Sequence, residues 1–169
     1  MKIYRFYDTD ESGYADYDLI GEEHQQLLQT CCKYCTVMAF VFTTPDQFQA
    51  ELAPYEISPP IAIMEKDYPL GYKILFRRQA DGSWCHRSSH TKFYRVCSET
   101  RTLLLSISDS LFSWLDGHGY HNPENPTFYR ADGSVFFSSV IHEGECTLHV
   151  RDDEDVSEII NNPLWLEKQ

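Results

Sequence analysis

The chain opens on an alternation: Tyr4 and Phe6 point one way while Ile3, Arg5 and Tyr7 point the other, so residues 2–7 predict an aromatic-rich strand. The period then changes. From about Glu22 to Cys35, Leu27, Leu28, Cys31 and Cys35 recur at three- and four-residue spacing, which predicts a helix with one buried face. Glu22 and Glu23 stand at its positive end, where carboxylates are favourable. The run TVMAFVFTT (36–44) is apolar throughout its centre and predicts a buried strand. Pro45 and Asp46 open a short helix through about Leu52. APYEISPP (53–60) predicts a loop, because its three prolines donate no backbone hydrogen bonds.

The middle of the chain reads as strands: IAIME (61–65), GYKILFRR (71–78), SWCHR (83–87) and HTKFYRVC (90–97). Ala80-Asp81-Gly82-Ser83 marks a tight hairpin, since Asp-Gly accepts the positive φ angles such turns need. Arg101 to Asp116 carries the clearest helical stripe, Leu104, Ile107, Leu111 and Leu115, with Gly117 where the helix stops. A second Ala-Asp-Gly-Ser, at Ala131 to Ser134, joins TFYR (127–130) to VFFSSVI (135–141); the flanking patterns differ, so the two turns do not make a repeat. ECTLHVR (145–151) predicts a further strand. In DDEDVSEII (152–160) the carboxylates are expected to initiate a final helix. Strands cluster in adjacent groups separated by helices, which predicts an α+β fold: mostly antiparallel sheet with about three to four helices packed on it, in one domain over 1–169.

Composition narrows the class. At 42% hydrophobic and 14% aromatic, the chain is too apolar for a disordered acidic tail despite a net charge of −12. It holds no apolar run near the roughly 18 residues a membrane helix needs, and MKIYRFYDTDE lacks a signal peptide's apolar segment, so a cytoplasmic protein is expected. In that compartment Cys31, Cys32, Cys35, Cys85, Cys97 and Cys146 are expected as reduced core thiols rather than disulfides.

The charge is divided unevenly. Residues 1–72 carry a net −8, residues 73–101 a net +5 and residues 102–169 a net −9. The central island of Lys73, Arg77, Arg78, Arg87, Lys92, Arg95 and Arg101 is expected to answer the protein's own acidic faces. The surrounding negative field would repel phosphate, so direct nucleic-acid binding is not expected.

The strongest concentration is DTDESGYADYDLIGEE, Asp8 to Glu23, with seven carboxylates and no Lys or Arg in sixteen residues. Three chemistries use such a stretch. Asp8, Asp10, Ser12, Gly13 and Asp16 match ligand positions of a calcium loop, but its twelfth position, normally a bidentate Glu, is Leu19. A strand ending in Asp8-x-Asp10 resembles the first motif of the haloacid-dehalogenase phosphatases. That resemblance implies a magnesium-dependent enzyme with Asp8 as nucleophile and Asp10 as acid and base. Thr43 and Thr44 would end its second motif, Lys66 or Lys92 would stabilise charge, and Asp152 and Asp153 would bind the metal. The third chemistry is a contact surface. Tyr14 and Tyr17 are interleaved with Asp8, Asp10, Glu11, Asp16, Asp18, Glu22 and Glu23, so rings supply buried area while carboxylates steer a basic partner.

Other motifs are incomplete. Cys32-x-x-Cys35 lacks a second half-site for zinc, His86 and His90 fit no compact finger with it, and His118 and His121 have no acidic partner at metal spacing. No phosphate loop or serine elbow is present. The expectation is therefore a binding protein with no catalytic residues, cofactor or metal. In general character the chain resembles bacterial immunity proteins. That implies a stoichiometric inhibitor of a basic protein, such as a toxin nuclease, with the phosphatase as alternative.

Overall fold

In the computed structural model, the structure describes residues 1–6, 18–42, 47–58, 77–78, 84–86, 89–112, 124–141 and 144–168. Among these, ten strands join into one sheet: β1 (Lys2–Phe6), β2 (Val37–Phe42), β3 (Glu56–Ile57), β4 (Arg77–Arg78), β5 (Trp84–His86), β6 (Ser89–Arg95), β7 (Glu124–Tyr129), β8 (Val135–Val140), β9 (Glu145–Val150) and β10 (Trp165–Glu167). The helices among the described residues are α1 (Gly21–Tyr34), α2 (Gln47–Leu52), α3 (Ser98–Ile107) and α4 (Ser157–Ile160), with a 3-10 turn at Ala53–Tyr55. The fold is α+β, and every strand pairing is antiparallel.

The strand order β10-β1-β9-β8-β7-β2-β6-β5-β4, with β3 paired to β6, places the meander β7-β8-β9 between β1 and β2. Four antiparallel pairings separate those two strands, so they run in the same direction and α1 connects them across the meander. The turn at Ala131 to Ser134 forms as the sequence predicts: Gly133 takes φ 78°, and Arg130 N–H donates to the Ser134 carbonyl at 2.9 Å.

The two faces of the sheet differ. One packs against the helices through Phe6, Met38, Phe40, Phe42, Phe128 and Leu148, met by Leu27, Leu28 and Cys31 of α1 and Leu104 of α3. A bulge between Phe128 and Tyr129 lets both Phe136 and Phe137 turn to this side, and the Phe136 ring meets Tyr34 of α1 at 5.5 Å. The opposite face carries a smaller apolar cluster of Val37, Ala39, Phe93 and Tyr129. With both faces covered, β2 is buried at all six positions, as its unbroken apolar run predicts.

Three expectations need correction. The helix predicted for Arg101 to Asp116 runs instead from Ser98 to Ile107. It stops because Ser108 adopts extended backbone (φ −152°), and the residues beyond it pair with the segment before α1. Leu111 N–H donates to the Leu19 carbonyl at 3.0 Å, and Gly21 N–H donates to the Asp109 carbonyl at 2.7 Å. Second, the proline-rich loop contains β3, whose Glu56 and Ile57 pair with Tyr94 and Phe93. Third, the acidic run 152–155 does not initiate a helix as a group. The helix that follows has Val156 at its N-cap with no side-chain cap, and of the run only Asp155 reaches its first residue: its Oδ1 accepts from the Ser157 N–H at 3.0 Å and hydroxyl at 2.7 Å.

Candidate functional site

Of the residues expected to face a partner, Asp8, Asp10, Glu11, Tyr14, Asp16 and Tyr17 lie outside the described residues; Asp18, Glu22 and Glu23 lie within them. Asp18 turns inward. Its Oδ1 accepts from the Phe112 backbone N–H at 3.0 Å and its Oδ2 from the Ser110 hydroxyl, so both oxygens hold the 108–112 turn. Leu19 is 1% exposed, its side chain in the core where a calcium loop would need a carboxylate. Gly21 then takes φ +55°, which turns the chain into α1 at a position unfavourable for other residues.

Glu22 and Glu23 emerge on the exposed side of α1's first turn. Glu23 Oε1 accepts from the Asn162 side chain at 3.0 Å, just beyond α4. At the other end of α1, the Tyr34 hydroxyl accepts from Asp155 N–H at 2.9 Å and lies 3.4 Å from the Asp155 carbonyl, to which it donates. These two clasps lay the 155–162 segment along α1. The beginning and the end of the chain, each acidic in sequence, thereby share one face, with Glu22 and Glu23 at one end and Asp155 and Glu158 towards the other.

A cleft of about 340 Å³ opens in this face where α1, α3 and α4 meet. Gln29, Thr30 and Lys33 of α1 form one wall, and Arg101 stands at the start of α3. Asp155, Ser157 and Glu158 close the remaining side. Asp155's carboxyl is held below the usual range, chiefly by its hydrogen bonds from Ser157. Lys33 is held above its usual value, first by contact with the Tyr34 side chain and also by the fields of Asp155 and Glu158.

Behind this face the last acidic segment is anchored from within. Glu154 accepts two hydrogen bonds from Arg130, each at 2.6 Å, and one from the Arg151 N–H at 2.7 Å. The Arg130 and Glu154 side chains are only 5% and 6% exposed. Burial alone would raise the Glu154 carboxyl, but the donated hydrogen bonds outweigh it and hold the group below its usual value. Arg130 also donates to the His149 and Val135 carbonyls and lies over the Phe136 ring at 5.2 Å, so one guanidinium ties β7, β8 and β9 to the segment leading into α4.

Among the described residues, three cysteines are core thiols and Cys32 and Cys97 are half-buried, all five of them free. Cys31, Cys35 and Cys146 are buried, and burial pushes each thiol upward; Cys32, half-buried beside them, is pushed to about 11. Lys92 of the basic island meets Glu56 at 2.8 Å, as expected of a charge that answers an acidic face.

The architecture does not fit the phosphatase resemblance. That family needs parallel strands whose catalytic ends share one edge, whereas β1 is antiparallel to both neighbours. Asp152 lies 3.6 Å from the Met1 amino group, at the opening of β1, while Asp8 and Asp10 follow its far end in sequence. Among the described residues no helix is long and apolar enough to cross a membrane. Compared with known proteins, the chain matches no protein family, no curated protein and no solved structure.

Proposed function

We propose that this chain is a cytoplasmic acidic binding protein, a stoichiometric inhibitor of a basic protein such as a bacterial toxin nuclease. The observation that carries this reading is the convergence of two acidic segments on the α1/α4 face. Glu22, Glu23 and Glu158 are exposed there, on elements held by the Glu23 to Asn162 and Tyr34 to Asp155 hydrogen bonds. Carboxylates fixed on packed helices present a field without the entropy cost of ordering a loop, which favours fast capture of a basic surface. Occupying the partner's basic cleft would exclude that partner's substrate.

The test is co-expression with basic nuclease domains encoded beside this chain. Growth that the nuclease abolishes should return. In purified form, the association rate should fall as the salt concentration rises. Replacing Glu22, Glu23 and Glu158 together with Gln should reduce the association rate and flatten that salt dependence. Unchanged affinity in the triple variant, or magnesium-dependent phosphate-ester hydrolysis abolished by Asp8→Asn, would overturn the reading.

A further inference from the structure

The cleft between α1, α3 and α4 has a charge pattern that a purely acidic contact surface does not require. Arg101 is exposed, and its guanidinium makes no ion pair or hydrogen bond among the described residues. Lys33 is likewise without a carboxylate within ion-pair distance, its ammonium lying 4.7 Å over the Tyr34 ring. In a chain of net −12, with Asp155 and Glu158 in the same cleft and felt by Lys33 through their fields, two cations without a carboxylate at ion-pair distance among the described residues are unexpected. The Glu158 carboxylate likewise meets no cation at ion-pair distance among the described residues, and Gln29 and Thr30 complete the lining with neutral polar side chains.

The lining thus holds two positive and two negative groups, all exposed, with one oxygen of Asp155 already accepting from Ser157. A simple anion would meet Asp155 and Glu158, and a simple cation would meet Lys33 and Arg101. A ligand carrying both charges satisfies both sets. The volume, about 340 Å³, lies at the small end of the roughly 300 to 1,000 Å³ of small-molecule sites, enough for one amino-acid-sized group. The protein's overall negative field selects, among such ligands, those with net positive charge.

We propose that this cleft binds a basic amino acid through its α-carboxylate, placed against Arg101 and Lys33, and its side-chain cation, placed against Asp155 and Glu158. The same chemistry is offered by free arginine or lysine and by a polypeptide whose last residue is basic. Arg101 supplies the planar pair of donors that matches a carboxylate, while Thr30 and Gln29 offer neutral hydrogen bonds between the charged ends. The site does not depend on the α1/α4 face meeting a protein partner.

The experiment is a nuclear magnetic resonance titration of the ¹⁵N-labelled full chain with L-arginine at constant ionic strength. Agmatine, which lacks the carboxylate, and glutarate, which lacks the cation, serve as controls. Saturable shifts confined to the amides of Thr30, Lys33, Arg101 and Ser157 are expected, with at least tenfold weaker binding of either control. Arg101→Gln and Glu158→Gln should each weaken arginine at least tenfold and leave the rest of the spectrum in place, because neither side chain holds the fold together. Acetyl-Gly-Gly-Arg with a free carboxylate, compared with its amide, separates the two sources: binding of the acid form assigns a chain terminus, and binding of free arginine alone assigns a metabolite. Linear, unsaturable shifts, agmatine binding as well as arginine, or two variants that bind like the parent would each overturn the proposal. No protein partner enters the titration, so its failure leaves the contact-surface reading standing, and failure of nuclease inhibition leaves this site standing.

Discussion

Glu154 and Glu158 are four residues apart in one acidic segment, and the fold treats them in opposite ways. Glu154 is 6% exposed and gripped by Arg130 through two 2.6 Å hydrogen bonds, whereas Glu158 stands exposed in the wall of the cleft. The same division separates Asp18, whose oxygens hold the 108–112 turn, from Glu22 and Glu23 a few residues later. Each acidic segment therefore has an inward carboxylate that fixes its position and outward ones that the fixed position displays. A count of charge in the sequence overstates the surface field, because part of it is spent on internal hydrogen bonds.

This comparison can be broken first at its most buried point. Arg130→Met should destabilise the protein by about 3 to 5 kcal/mol in urea unfolding, since it strands the Glu154 charge in the interior. Adding Glu154→Leu should recover much of that loss, because the desolvated charge goes with it. A double variant no better than the single would show that the pair does more than neutralise itself.

The next effect is on the acid side. His149 is 3% exposed, and burial, followed by the nearby Arg130 charge, lowers it from 6.5 to about 4. A group whose folded value is depressed in this way stays neutral in the fold while the unfolded chain takes up a proton. Stability from this source is therefore complete above pH 6.5 and declines as pH falls towards 4, by roughly 3 kcal/mol in total. Urea midpoints between pH 7 and pH 4.5 should show this slope, and His149→Gln should flatten it.

A smaller loss is expected at Asp18. Asp18→Ala removes two hydrogen-bond acceptances and should cost about 2 kcal/mol. Hydrogen exchange should quicken at Gly21 and Leu111, whose amides bridge the two segments the carboxylate draws together. Unchanged exchange there would detach Asp18 from the turn. Glu22→Gln with Glu23→Gln should move stability by no more than about 0.5 kcal/mol, as expected of exposed carboxylates, with any effect appearing in binding instead.

The sequence made the periodic elements legible. The stripe of Leu27, Leu28 and Cys31 predicts α1, and the apolar run 37–42 predicts a strand buried on both sides. Both patterns report burial of the residues' own side chains, which is local information. The end of α3 at Ile107 was not legible, because its cause is a backbone exchange with residues 19–21, about ninety positions away. β10 was missed for a related reason: its three residues form a strand only because β1 offers an edge to Leu166 and Trp165. The candidate site was half legible. Carboxylate density marked Glu22 and Glu23, but nothing in the order of residues distinguishes Asp18 and Glu154 from their exposed neighbours. An Arg at the end of a strongly apolar strand, Arg130 beside a predicted turn, is the available hint of a buried partner. The cleft depends on Arg101, which in sequence belongs to the basic island, and on the packing of α4 against α1, which no local pattern encodes.

The division between inward and outward carboxylates is tested most directly by urea unfolding of Glu154→Gln beside Glu158→Gln at neutral pH. The expected result is a loss of about 3 to 5 kcal/mol for the first and less than about 0.5 kcal/mol for the second. Equal losses in the two variants, or a stable Glu154→Gln protein, would contradict it.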